Sequence, residues 1–196
     1  MRRIAQSCAL SGAVFVVGLV LTGCAASDGL AASYGTPGAP VVGNAQYVEL
    51  TPEQRAAASV FSGPTIDGTT FDSKSLQGSV SVVNFWYAGC APCRAEAPIL
   101  SQLSTSMTEV KFLGVNVFDA AAVAQSFDDR FHLSYPSILD LQAGSVQLAF
   151  AGYVPPNAVP TTLVLDKQGR IAARISGRIE EASILRAMIE KVEEEG

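Results

Sequence analysis

Cys90 and Cys93 stand two residues apart in the segment Cys90-Ala91-Pro92-Cys93. A disulfide between them closes a loop too small to restrain an unfolded chain much, so the pair reads as a reactive dithiol rather than a staple. Two thiols one helical turn apart can pass two electrons. One sulfur attacks a disulfide, and the second resolves the mixed disulfide that forms. The attack needs a thiolate. A helix N-terminus favours one through its unpaired N–H groups and partial positive charge. The spacing therefore gives Cys90 the part of the exposed attacking sulfur and Cys93 that of the resolving sulfur beneath it. Pro92 has no N–H to lose in a first helical turn. This chemistry uses no cofactor beyond the dithiol itself.

Metal chemistry fits the residues poorly. A zinc site takes four ligands, usually with a second Cys or His pair. The chain has four cysteines and one histidine, His132, in the apolar-aromatic stretch Phe131-His132-Leu133. His132 reads as structural, and no metal site is assigned. A non-catalytic metal or haem chaperone is a further reading. It would ask for His or Met ligands near the dithiol, whereas Met107 and Met188 read as core or helix-face residues.

The dithiol needs elements to hold it. Val80–Trp86 is an apolar, β-branched run that reads as a buried strand, and Ala91 to about Met107 is helical in pattern. Val110–Phe118 is a second buried strand, and Ala120–Phe131 a second helix. Pro136–Leu139 and Ser145–Phe150 form a short strand and helix. Thr161–Asp166 and Arg170–Ser176 flank the turn Lys167-Gln168-Gly169. Glu180–Glu194 closes the chain as an amphipathic helix. Before the first strand, Asp67-Gly68 signals a hairpin. A parallel β-α-β beginning and an antiparallel β-β-α end make an α/β sheet with helices on both faces. Order is expected from about residue 60, and Glu193-Glu194-Glu195 is read as a solvated helix end.

The N-terminus reads as an address. Met1-Arg2-Arg3 is basic, Ala9–Leu21 is apolar, and Leu21-Thr22-Gly23-Cys24 looks like a bacterial lipobox. Residues 1–23 are then a lipoprotein signal peptide, and Cys24 carries the lipid. Residues 25–46, rich in Ala, Gly, Ser and Pro, read as a flexible tether, and 24–59 as a whole as tether and N-terminal extension. Residues 60–196 are the folded domain. Processing removes Cys8, and lipidation uses Cys24, leaving only Cys90 and Cys93 as thiols. The chain has 13 basic and 18 acidic residues. Without Arg2 and Arg3, 11 basic residues remain against 18 acidic ones, a net charge of −7. An acidic chain without a basic patch argues against a nucleic-acid partner.

The segment Asn84-Phe85-Trp86-Tyr87-Ala88-Gly89-Cys90-Ala91-Pro92-Cys93-Arg94-Ala95-Glu96-Ala97-Pro98, with Val159-Pro160-Thr161-Thr162 further on, resembles the TlpA/ResA-like, or CcsX-like, membrane-anchored thioredoxins. The resemblance covers about 60–196. It implies a thioredoxin fold with an N-terminal β-hairpin extension and a central β-α insertion. It also implies that Pro98 interrupts the active-site helix and that Pro160 is a cis-proline beside the dithiol. Val159, Pro160 and Thr161 then meet an extended substrate segment. Glu96 matches an acidic residue placed near the dithiol in ResA-type reductases, where it could exchange a proton; the alternative is a surface carboxylate complementing the helix dipole. Two positions depart from the thioredoxin pattern. Asn84 stands where cytoplasmic thioredoxins carry a buried Asp, and Gly89 where a Trp is usual. Trp86 is retained and reads as a core residue.

The resemblance implies thiol–disulfide exchange on exported proteins outside the cytoplasm, at the outer face of the cell membrane. The implied partners are exported cysteine-containing proteins such as apocytochrome c, reduced before haem attachment, and a dithiol-type membrane electron donor or acceptor. An oxidant that inserts disulfides into exported proteins is the alternative, because direction follows from relative reduction potentials.

Overall fold

The computed structural model describes residues 46–155 and 158–195. The expected signal peptide, with Cys8, and residues 24–45 of the expected tether, with Cys24, lie outside them.

Ser81–Trp86 (β4) is buried at every position, as the apolar run requires. Neighbouring residues point to opposite faces, so Val82 packs with Leu100, Leu103 and Ile189 on one side, while Val83 and Phe85 pack with Leu113 and Phe150 on the other. β4 pairs in parallel with Lys111–Asn116 (β5), across Ala91–Ser106 (α1). β5 pairs in parallel with Ser137–Leu139 (β6), after Ala121–Phe131 (α2). Ser145–Ala149 (α3) completes the β-α insertion. Thr161–Leu165 (β7) runs antiparallel to β4, and Ile171–Ser176 (β8) antiparallel to β7. Ala182–Glu194 (α4) closes the chain, burying Leu185, Met188, Ile189 and Val192.

Ser62–Pro64 (β2) and Thr70–Asp72 (β3) form a separate antiparallel pair around the Asp67-Gly68 turn. Gly68 has φ 83°, a left-handed conformation that glycine adopts without steric cost. A Thr65–Ile138 bridge ties this hairpin to the main sheet.

Two expectations need correction. Order begins earlier than residue 60: Tyr47–Glu49 (β1) pairs with β8 and gives the six-stranded order β1-β8-β7-β4-β5-β6. Three residues with alternating exposure make too short an edge strand to stand out from a Gly- and Pro-rich background. Of the three C-terminal glutamates, Glu195 is also not simply solvated. The buried Arg55 guanidinium pairs with Asp166 at 3.2 Å and with Glu195 at 2.5 Å. One buried cation thus ties the N-terminal extension to the β7–β8 turn and the end of α4.

Candidate active site

The dithiol sits where β4 ends and α1 begins. The Cys90 N–H donates to the Tyr87 carbonyl at 3.1 Å, closing a turn over Ala88 and Gly89. Cys90 is the N-cap of α1, and the Cys93 N–H donates to Cys90 Sγ at 3.1 Å. Cys90 and Cys93 are joined as a disulfide, with their Cα atoms 5.2 Å apart. When that bond opens, the N–H aimed at Cys90 stabilises a thiolate there. The expectation that Cys90 is exposed does not hold. Cys90 is 3% exposed and Cys93 2%, because Trp86, Ala97 and Phe127 surround the pair and Tyr87, Ala88 and Val159 pack against it. The sulfurs differ in their helix position rather than in exposure.

Pro92 lies in the first turn of α1 and Pro98 inside the helix; both are exposed. Trp86 is buried and stacks on Phe127, with ring centroids 4.3 Å apart. The Val159–Pro160 peptide is cis, as the resemblance implies. Val159 packs against the dithiol cluster, and Thr161, fully buried, opens β7.

Glu96 is not a surface carboxylate. It lies on α1 one turn beyond Cys93 and is 0% exposed. Its Oε1 accepts from Asn84 Nδ2 at 2.8 Å, and its Oε2 from the Ile179 N–H at 2.8 Å. Asn84 Nδ2 also donates to Thr162 Oγ1 at 3.0 Å. Burial pushes the Glu96 carboxyl up to about 7, against the opposing pull of those two N–H donors and Arg178. Asn84 and Glu96, twelve residues apart, therefore form one network across β4, β7 and α1. A second carboxyl, Asp128 on α2, is pushed up to about 7 by burial and by Asp129. His132 caps α2 in a left-handed conformation, φ 55°, and its carbonyl accepts from Ser101 Oγ. That is a structural task.

Sequence reasoning missed a support just beyond β5. Asp119 Oδ2 accepts the Ala88 N–H at 2.6 Å and Asn116 Nδ2 at 2.9 Å. The Asn116-Val117-Phe118-Asp119 spacing, at a strand end, is the available signal, since Asn side chains commonly bond the backbone two residues on. Beside the dithiol, Tyr87, Val117, Phe118, Gln147 and Val159 line a largely apolar groove of about 430 Å³.

Fold and site define a thioredoxin-fold protein with a Cys-x-x-Cys redox pair at the head of its first helix. The Redoxin family matches residues 52–189, and the chain belongs to that family, in its TlpA/ResA-like branch. It is 36% identical to soluble secreted antigen MPT53 of Mycobacterium tuberculosis over 80 residues, 41% of this chain and 46% of that protein. It is 28% identical to thiol-disulfide oxidoreductase ResA of Geobacillus thermodenitrificans over 145 residues, 70% of this chain and 80% of that one. A DsbF homologue from Corynebacterium diphtheriae superposes with TM-score 0.69 at 29% identity, covering 76% of this chain and 95% of that one. The chain thus spans about half the length of the first curated relatives it matches, at 46%.

Proposed function

We propose that the protein is an extracytoplasmic thiol–disulfide oxidoreductase that reduces disulfides of exported proteins, with the Cys-x-x-Cys-His site of an apocytochrome c as its substrate class. The Cys90 thiolate attacks one sulfur of the substrate disulfide, forming a mixed disulfide and releasing the other substrate sulfur as a thiolate. Cys93 then attacks Cys90 Sγ, re-forming the Cys90–Cys93 disulfide and releasing the second substrate thiol. The substrate gains two electrons and the protein loses two. A membrane dithiol donor restores the reduced pair, and no further cofactor takes part. Val159, Pro160 and Thr161 receive the extended substrate segment, and the apolar groove receives a neighbouring side chain. A lipid on Cys24 holds the protein at the outer face of the cell membrane. The soluble secreted antigen among its relatives supports the extracytoplasmic setting, and the ResA oxidoreductases support the exchange chemistry.

The observation that carries the reductive direction is Glu96, fully buried one turn along the helix from Cys93. Residues three apart on a helix are neighbours. A carboxylate there disfavours a cysteine thiolate. Strong oxidants owe their potential to a stabilised reduced form, so disfavouring the thiolate lowers the potential. The test is the potential of the Cys90–Cys93 pair in a dithiothreitol or glutathione buffer. A reductant lies near the thioredoxin value of about −270 mV, and Glu96→Gln raises it by tens of millivolts. A wild-type value near about −120 mV, that of a dedicated oxidant, overturns the direction and makes the protein a disulfide-forming enzyme.

A further inference from the structure

We propose that Asp119 is a positioning residue for the dithiol: one of its carboxylate oxygens fixes the Tyr87–Cys90 turn and so sets where Cys90 Sγ stands when it attacks. This rests on the exchange chemistry proposed above.

The turn is soft by composition. Its two middle residues are Ala88 and Gly89, and glycine has the widest backbone freedom. Its closing bond, Cys90 N–H to the Tyr87 carbonyl, leaves the Ala88 peptide to be held from outside. That happens on both sides. The Ala88 N–H donates to Asp119 Oδ2 at 2.6 Å, and its carbonyl accepts from Arg94 Nη1 at 3.3 Å. Arg94 is exposed, whereas Asp119 is itself braced. Asn116, 0% exposed, takes the Phe118 and Asp119 N–H groups on Oδ1 at 3.1 and 2.7 Å and donates from Nδ2 to Asp119 Oδ2 at 2.9 Å. Asn116 lies opposite Trp86 in the parallel β4–β5 register. A rigid line therefore runs from the sheet through Asn116 and Asp119 to Ala88, two residues before the sulfur.

A single oxygen, Oδ2, receives both N–H donors. A carboxamide oxygen has the same two lone pairs, so the brace needs an acceptor and not a charge. This separates positioning from electrostatics. If the charge of Asp119 mattered, Asp119→Asn would favour the Cys90 thiolate and shift its titration downward.

The test uses full-length reduced protein as wild type, Asp119→Ala and Asp119→Asn. The rate of reduction of a peptide disulfide is measured, with the pH profile of Cys90 alkylation by iodoacetamide. Asp119→Ala is expected to slow exchange about tenfold, less than the roughly 10²-fold that misplacing a reacting group by about 1 Å can cost, without moving the alkylation midpoint. Asp119→Asn should stay within about twofold of wild type, since it keeps the acceptor. Equal loss in both variants, a shifted midpoint in Asp119→Asn, or a wild-type rate in Asp119→Ala overturns the proposal. If Asp119→Ala does not fold, hydrogen exchange of the Ala88 amide decides. Protection in wild type and Asp119→Asn supports the brace, and fast exchange in wild type overturns it. If wild type reduces no disulfide while Cys90 alkylation at high pH still slows in Asp119→Ala, the functional reading fails and the brace stands.

Discussion

Asn84 Nδ2 donates at once to Glu96 Oε1, at 2.8 Å, and to Thr162 Oγ1, at 3.0 Å. This suits an ionised Glu96, which accepts from Asn84 and from the Ile179 N–H. It also suits a neutral one. If the Asn84 amide turns over, its carbonyl accepts from a protonated Glu96 and from the Thr162 hydroxyl, which can act as donor or acceptor. An aspartate at position 84 has no N–H to offer. Asn84 therefore keeps a hydrogen bond to the buried carboxyl whether Glu96 holds or loses its proton, where an unpaired carboxyl would cost about 1–3 kcal/mol.

The raised Glu96 value makes stability depend on pH. Between its ordinary value of 4.5 and its folded value of about 7, the folded protein binds more protons here than the unfolded chain does. The contribution is therefore fully present below about pH 4.5 and is lost as pH rises through about 7. Its size is on the order of 3 kcal/mol, at about 1.4 kcal/mol per pKa unit. Asp128 acts in the same direction, so the comparison must be with Glu96→Gln. Urea unfolding from pH 4.5 to 8 should show stability falling more steeply in wild type than in Glu96→Gln. Parallel curves would mean that Glu96 titrates in the folded protein as it does in the unfolded chain.

Asn84→Asp places a second carboxyl against the first. Two carboxyl groups sharing one hydrogen bond hold a proton between them and titrate as a pair. The variant should lose about 3 kcal/mol at pH 8, where a second buried charge has no partner, and recover much of it at pH 5. Equal stability loss at both values would point to shape rather than charge.

Phe127→Ala removes the ring on which Trp86 stacks. A buried Phe→Ala change costs about 3–5 kcal/mol. Trp86 is the single tryptophan of the chain, so the emission reports the surroundings of this indole alone. A red shift with a lowered melting temperature is expected, and an unchanged spectrum would show that the indole is held by other groups.

Cys24 lies outside the described residues, and its role is tested in cells. With a lipobox at Leu21–Cys24, Cys24→Ala should leave an unprocessed precursor or release the protein from membranes into the soluble fraction. Normal processing and unchanged detergent partitioning in Cys24→Ala would count against lipidation.

Much of this was legible in the sequence, for physical reasons. β4 is buried on both faces and so reads as an unbroken apolar run; α1 follows with its cysteines at its head. Asp67-Gly68 and Lys167-Gln168-Gly169 mark the two hairpin turns. The less legible parts depend on contacts distant in sequence. Nothing near Glu96 announces the Ile179 N–H, 83 residues away, that shares its carboxylate. Nothing near Arg55 announces Asp166 and Glu195. β1 is three residues long, and its partner, β8, lies more than a hundred residues on. The shielding of Cys90 comes from Val159 and Phe127 on separate elements, which spacing within Cys-x-x-Cys cannot convey.

In the proposed exchange Cys90 attacks and Cys93 resolves. The measurement is mass spectrometry of mixed disulfides captured in cells on Cys93→Ser and on Cys90→Ser. With the resolving thiol gone, Cys93→Ser should hold exported cysteine proteins through Cys90, while Cys90→Ser should hold none. Capture on Cys90→Ser alone would reverse the assignment, and capture on neither variant would contradict thiol–disulfide exchange at this pair.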